Sequence, residues 1–455
     1  MNLWQRIVAV IGLPLALFTL VFSYSPVSKD KQIELEQKLD ADIQKEFKPV
    51  FRFAVASDVH IHDSSEPRNA ERFAKLFQTA YKYSDSHPTY KTLDAVLLAG
   101  DIVDNGADAE YAELNRVVKE NKRDETEFIT VMGNHEFHDG GHEGYKKNMK
   151  EDLDKHIVIK GFHIIGLSPS PKGTFHMPSQ WFWLDRELKK ASADDPDKPI
   201  FTMQHGHIWN TVYVSRSWSS EVSVFLHLIY SKYPQVINFS GHSHGPINNP
   251  ISVWRNNYTL FGTGTLNYFE MEDDIGDDTV PDGCDNAAQY YIFEVDAENH
   301  VRALPFNILT EDFMKTPSTT DDPDKQLVYY IDKPSDVSSY VYTSARKKTD
   351  SEPRFDKNAG IRVGDFKDGS AEITFDRADG DVCVYGYRIT VNEKDSQKKI
   401  FEKEIYAEYY FEPIPSTQHC TADGLKSGTE YTVSITPMNV WKAEGKPLTG
   451  EFKTP

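Results

Sequence analysis

The chain has 455 residues, 39% hydrophobic and 26% charged, enough for two or three packed domains. Its formal net charge of −20 argues against a general nucleic-acid binder, which needs a basic footprint, and sets duplex nucleic acid aside as a partner. Three cysteines, Cys284, Cys383 and Cys420, make neither a disulfide framework nor a thiolate metal cluster; Cys383 and Cys420 either pair or are two unrelated buried thiols.

Ile7 to Phe22 carry no charge, after a short start holding Arg6. The run is short for a spanning helix of about 20 residues and suits a signal-peptide core. Val21-Phe22-Ser23 offers a cleavage context, whereas Trp4 and Tyr24 would flank an uncleaved anchor. Residues 1–24 are therefore expected to be a signal peptide or membrane anchor, and the protein secreted or held at the cell surface. Leu35, Leu39, Ile43 and Phe47 recur every four residues and predict a helix over Ser28–Phe47. Within a spacer of residues 25–48, that helix packs on the following domain or forms a short stalk.

From Val50 short apolar runs alternate with longer amphipathic segments, which predicts an α/β domain over residues 49–310. Strands are expected at Phe51–Ala56, Ala95–Leu98, Phe128–Met132, Phe162–Leu167, Ile200–Met203 and Val236–Phe239. Helices are expected at Arg68–Tyr83, at Ala109–Lys119 and after a cap at Ser179. Tyr258–Phe261 and Tyr290–Val295 read as closing strands of a second sheet. Pro, Thr and Asp dominate Thr310–Asp324, the core of an expected linker, 311–352. Beyond it the period is two: Tyr385, Tyr387, Ile389 and Val391 alternate with their neighbours, as do Tyr431, Val433 and Ile435. This predicts a small all-β domain over 353–455.

Polar clusters stand directly after five of the apolar strands. They are Asp58-Val59-His60, Gly100-Asp101, Gly133-Asn134-His135-Glu136, Gln204-His205-Gly206-His207 and Ser240-Gly241-His242-Ser243-His244. Open α/β sheets place ligands at strand carboxyl ends, so the five clusters should meet at one edge. Imidazole with carboxylate and amide oxygen, and no thiolate, suits Mn, Fe, Zn or Ni. Asp101 has two carboxylate oxygens and can serve two cations, and a metal pair would give an acidic protein a local positive centre for an anionic substrate.

This order of motifs, D-x-H, G-D-x-x-D, G-N-H-E, a lone His and G-H-x-H, resembles the calcineurin-like metallophosphoesterase superfamily over about Val50 to Ile308. The resemblance implies a sandwich of two mixed β-sheets flanked by helices, and two divalent or trivalent transition metal ions. It implies Asp58, His60, Asp101 and His244 on one ion, and Asp101, Asn134, His205 and His242 on the other. His205 is preferred to His207 because it directly follows the strand, which leaves His207 as a candidate substrate contact. His135 resembles the family's non-ligand histidine, which protonates the leaving group, and Asp104 the residue that orients it. The implied reaction is hydrolysis of phosphate mono- or diesters by a hydroxide bridging ions about 3.5–4 Å apart.

Two other readings stand beside this one: a cyclic-nucleotide phosphodiesterase, and an inert cell-surface scaffold or adhesin. Purple acid phosphatases place a metal-binding Tyr where this chain has Asp104, so no tyrosinate colour is expected. The implied substrate is a phosphate-ester small molecule or a cell-envelope component, with membrane or cell-wall attachment of the protein as a further option. His62, His138, His142, His163 and His176 read as packed or surface residues, the first two also as candidates for substrate contact. Specificity is expected in the loops Phe137–Tyr145 and Trp209–Ser220, and the acidic stretch Glu270–Asp278 reads as a solvated loop. Leu425-Lys426-Ser427-Gly428-Thr429-Glu430-Tyr431 is similar to the L-x-P-G-T-x-Y turn of fibronectin type III domains, with Tyr431 as the tyrosine corner of an immunoglobulin-like sandwich. Such a domain would be a spacer or docking module.

Overall fold

The computed structural model describes residues 27–170, 176–219, 223–275, 279–286, 288–317 and 324–455. The N-terminal apolar run lies outside them. No helix among the described residues is long and apolar enough to cross a membrane.

The first element is α1 (Lys29–Ile43), capped by Ser28. Then come β1 (Pro49–Ala56), α2 (Arg68–Ser86), β2 (Ala95–Ala99), α3 (Asp108–Asn121), β3 (Glu127–Val131), α4 (Gly141–Met149), β4 (Lys155–Ile159) and β5 (Phe162–Leu167). They are followed by α5 (Pro178–Asp194), β6 (Ile200–Gln204), α6 (Val224–Tyr230), β7 (Val236–Ser240), β8 (Val253–Arg255), β9 (Thr259–Gly262), β10 (Gln289–Asp296), β11 (Val301–Asn307), β12 (Asp312–Phe313) and β13 (Tyr329–Ile331). One sheet has the order β12-β11-β10-β1-β2-β3, with β13 also on β11; the other is β4-β5-β6-β7-β9-β8. β1, β2 and β3 run parallel, as do β5, β6, β7 and β9.

Parallel strands covered on both faces read as continuous apolar runs, which is why β1, β2 and β6 are buried almost throughout. The two sheets meet over interlocking rings. Phe53 lies 4.6 Å from Phe201 and 5.3 Å from Phe293, and Phe239 lies 4.8 Å from Phe293, between ring centroids. Outside the first sheet, α2 packs through Phe73, Leu76, Phe77 and Ala80, and α3 through Tyr111, Leu114 and Val117. Outside the second, α5 buries Leu184 and Leu188. The helix of α5 begins at Pro178 with Met177 as its cap, so Ser179 is inside it rather than capping it.

Two further expectations change. The Tyr290–Val295 strand, β10, does not close the second sheet; it runs antiparallel to β1 in the first. The expected 311–352 linker is largely part of the domain. β12 and β13 both pair with β11, and Tyr329, Ile331, Val341, Tyr342 and Ala345 enter the core between the sheets. A three-residue strand is too short to show a period, so the pattern was masked by its Pro- and Thr-rich flank. The same segment docks α1: Gln32 Nε2 donates to the Val341 carbonyl at 2.8 Å, and Lys348 Nζ to the Val27 carbonyl at 3.2 Å.

The C-terminal region holds β14 (Ile361–Val363), β15 (Ala371–Asp376), β16 (Val384–Glu393), β17 (Lys399–Tyr406), β18 (Thr417–Ala422), β19 (Glu430–Asn439) and β20 (Leu448–Lys453). They form two antiparallel sheets, β14-β15-β18 and β17-β16-β19-β20. Alternate residues Tyr387, Ile389 and Val391 of β16 and Tyr431, Val433 and Ile435 of β19 fill the space between them. The Tyr431 hydroxyl accepts from the Lys426 N–H at 2.7 Å, as a tyrosine corner does. Cys383 and Cys420 are both free thiols.

Candidate metal centre

Because β1, β2 and β3 are parallel neighbours, the residues that follow them leave at one edge; β6 and β7 deliver theirs from the facing sheet. The structure brings Asp58, His60 and His244 into one group and Asp101, His205 and His242 into another, with ligand atoms in each within 4.8 Å of one another. His60 Nε2 lies 3.1 Å from His244 Nε2, and His244 Nε2 lies 3.4 Å from Asp58 Oδ1. His205 Nε2 lies 3.0 Å from Asp101 Oδ2 and 3.1 Å from Asn134 Oδ1. Asp101 Oδ2 is also 4.0 Å from His60 Nε2, so this carboxylate stands between the groups.

The backbone is bent to achieve this. Asp58, His60, Asp101, His242 and His244 all have positive φ, between 47° and 76°. The left-handed region costs a non-glycine residue about 1–2 kcal/mol, and such residues gather where function requires them. Three glycines make room. A Cβ on Gly133 would come within 2.1 Å of Asp101 Oδ1, and one on Gly241 within 2.5 Å of Asp58 Oδ2. Gly100, at φ +89°, would push into the His205 ring at 2.4 Å.

The hydrogen bonds fix which ring nitrogens carry hydrogen. His244 Nδ1 donates to the Tyr268 carbonyl at 2.9 Å and His205 Nδ1 to the Ala99 carbonyl at 2.9 Å. His60 Nδ1 faces Asp104 Oδ1 at 3.3 Å. The Nε2 atoms therefore present lone pairs to one another and to carboxylate and amide oxygens. Acceptors that converge without a donor need a cation, and nitrogen and oxygen ligands of this kind fit a transition metal ion. Protonation equilibria agree on the charge demanded. Burial lowers His60, and burial with the neighbouring His205 lowers His242 to about 4, so both are available as neutral ligands. Burial opposes a charge on His205, yet Asp101 raises it to about 10, so the carboxylate favours positive charge at this position. Burial would raise Asp58 too, but His244 and His205 hold it at about 2.

His135 stands at the rim, half-buried, its ring edge-on to His60 at 4.4 Å between centroids. Its Nδ1 donates to the backbone carbonyl of Asp104 at 2.7 Å, whereas the Asp104 carboxylate is 3.7 Å away. The carbonyl, not the carboxylate, therefore orients His135, and the carboxylate backs His60. His207 is buried, with Nδ1 on Ser240 Oγ at 2.7 Å and Nε2 on Ser243 Oγ at 2.6 Å. Both its nitrogens are engaged behind the His242-x-His244 turn, so the structure does not offer it to substrate. His62 Nδ1 faces Asp104 at 3.7 Å and the His138 ring packs at a tilt 4.6 Å from that of His135, which places both beside the centre. His142, His163 and His176 do not join it.

Three residues near the site escaped sequence reasoning. Glu136 is fully buried and accepts from the N–H groups of Ile102 (2.7 Å), Val103 (3.1 Å) and Gly133 (2.5 Å). It thereby pins the loops after β2 and β3 together; burial and the nearby Asp101 raise its carboxyl to about 8. Its place in the Gly133–Glu136 motif was the available signal. Trp218 meets the His242 ring edge-on at 5.4 Å, and the Tyr268 ring lies 4.5 Å from that of His244. Trp218 lies in a loop expected to govern specificity; nothing in the sequence marks Tyr268.

The calcineurin-like phosphoesterase family matches residues 51–246. Among solved structures, a purple acid phosphatase from yellow lupin (Lupinus luteus) seeds is 13% identical at a TM-score of 0.42. That alignment covers 58% of this chain and 52% of the lupin one, about half its length. The fn3 domain of the human collagen alpha-1(XX) chain is 15% identical at a TM-score of 0.17, covering 23% of this chain and 84% of that one. A structure described as a myokine is 22% identical at a TM-score of 0.18, covering 23% and 97%. No curated protein matches the chain.

Proposed function

We propose that the protein, whose residues 51–246 match the calcineurin-like phosphoesterase family, is a phosphoester hydrolase that works with two transition metal ions on a small-molecule phosphate mono- or diester. The observation that carries this reading is the convergence of imidazole, carboxylate and amide ligand atoms on one another: His60 Nε2 on His244 Nε2 at 3.1 Å, and His205 Nε2 on Asn134 Oδ1 at 3.1 Å and Asp101 Oδ2 at 3.0 Å. Asp58, His60 and His244 would hold one ion, Asn134, His205 and His242 the other, and Asp101 both. When bound, the ions supply positive charge to the phosphoryl oxygens and make water nucleophilic near neutral pH. His135 then has one free nitrogen, Nε2, since Nδ1 is tied to the Asp104 carbonyl. That atom gives the leaving oxygen its proton. Glu136 keeps the Asp101 and Asn134 loops in register while charge moves between them.

Purified protein assayed with Mn²⁺ on bis-4-nitrophenyl phosphate and on 4-nitrophenyl phosphate tests this. Turnover of at least one ester, abolished by chelation and restored by Mn²⁺, is expected. Turnover of the diester alone would narrow the enzyme to a phosphodiesterase. No turnover with Mn, Fe, Zn or Ni would overturn the proposal in favour of an inert scaffold.

A further inference from the structure

The loop Glu270–Asp278, expected to be solvated, lies instead at a domain junction in its described part. Phe269, Met271 and Ile275 join Tyr213 and Val214 of the catalytic domain in one apolar cluster with Tyr385, Tyr406, Tyr409 and Tyr410 of the C-terminal domain. Apolar residues set among acidic ones, as in Phe269-Glu270-Met271-Glu272, hide such a surface from a composition-based reading.

The junction reaches the metal centre by two short routes. Val214 has φ +63°, a conformation that β-branched residues scarcely adopt, and it is buried in the cluster. Its carbonyl accepts from the N–H groups of Ser217 at 3.2 Å and Trp218 at 3.1 Å, so this strained turn aims Trp218 at His242. Ser217 Oγ donates to Glu272 Oε1 at 2.6 Å. Glu272 is in turn held by both domains: its N–H donates to the Tyr213 hydroxyl at 3.0 Å, and its carbonyl accepts from the Tyr406 hydroxyl. The Tyr385 hydroxyl bridges the Tyr213 hydroxyl (2.9 Å) and Asp274 Oδ1 (2.7 Å). By the second route, the tilted Tyr268 ring packs on that of His244 while the next residue, Phe269, packs 5.6 Å from Tyr410.

We propose that Trp218 is a specificity-determining wall that stacks on a planar organic group of the substrate, and that Tyr385 and Tyr406 of the C-terminal domain are the positioning residues that hold it. Trp218 is 37% exposed beside the half-buried ligand His242, an arrangement that leaves a large apolar face open where the ester's organic part must lie. Glu272 close to this wall disfavours a further anionic group there, so the fitting substrate class is a phosphate ester of an aromatic or otherwise planar group without extra phosphates. This inference rests on the phosphoesterase reading of the centre.

Binding of phenylphosphonate and methylphosphonate to the Mn²⁺-loaded full chain, by calorimetry, tests it without turnover. Wild-type protein should bind phenylphosphonate about tenfold more tightly, the scale of one aromatic contact. Trp218→Ala should erase that preference and leave methylphosphonate affinity unchanged. Tyr385→Phe combined with Tyr406→Phe should reduce the preference at least threefold, with metal content and methylphosphonate affinity retained. A preference that survives Trp218→Ala, or is absent from the wild type, overturns the wall. A preference that survives the tyrosine substitutions, or a parallel loss of methylphosphonate binding in them, overturns the positioning role. Failure of methylphosphonate to bind wild-type protein would instead sink the phosphoesterase reading beneath it.

Discussion

Asp101→Asn should lower kcat/KM by about 10³-fold or more while the fold persists. Asp101 stands between the two ligand groups, with Oδ2 also 4.0 Å from His60 Nε2, and its oxygens do different work. Oδ2 faces His205 at 3.0 Å, and Oδ1 accepts the His135 N–H at 2.9 Å. An amide of the same shape keeps one acceptor but replaces a charged oxygen by a donor. Charge stabilisation by a metal centre is worth several kcal/mol, and each 1.36 kcal/mol is about tenfold in rate, which gives the expected scale. Circular dichroism should be unchanged, because two buried carboxylates, Asp58 and Asp101, would no longer repel one another. Elemental analysis should show metal lost from the variant. Activity within tenfold of wild type would show that Asp101 is not the shared ligand.

Gly133→Ala is the second large effect, and it comes from one methyl group that touches no substrate. The added Cβ would sit 2.1 Å from Asp101 Oδ1 and 2.5 Å from the Asp101 nitrogen, so the carboxylate or its loop must move. Displacement of a reacting group by about 1 Å can cost 10²-fold, and an overpacked site loses about 1–3 kcal/mol of stability. Gly206, between His205 and His207, provides the control: its Cβ would meet nothing within 4 Å. Gly206→Ala should keep near wild-type activity, whereas Gly133→Ala should lose about 10²-fold in kcat/KM and bind metal more weakly. Equal activity in the two variants would mean that the β3 loop yields freely and that close packing does not aim Asp101.

Sequence reasoning reached the centre because its signals are local. A strand announces itself within five residues, and a polar cluster directly behind it needs no knowledge of the rest of the chain. Asp58, His60, Asp101, Asn134, His205, His242 and His244 all carry that signature, and the geometry gathers them. What the sequence concealed depends on partners far away or on backbone atoms. The sheet that β10 joins is decided by its pairing with β1, some 240 residues earlier, and apolar alternation is the same in either sheet. The Asp104 carbonyl that orients His135 has no side-chain identity to read. Nor does spacing alone reveal that His207 faces Ser240 and Ser243, since serine is more often a surface residue than a buried partner.

The cluster of tyrosines between the domains also bears on how the molecule comes apart. Loosely tethered modules melt independently, but an extensive apolar contact makes one unit's collapse strip cover from the other. With Tyr213, Val214, Phe269 and Met271 buried in this contact, a catalytic fragment ending near residue 352 would expose a sticky patch and tend to self-associate. Scanning calorimetry of the intact chain should therefore record a single cooperative endotherm rather than two, and the C-terminal sandwich is then a co-folding half of the enzyme, not a detachable appendage.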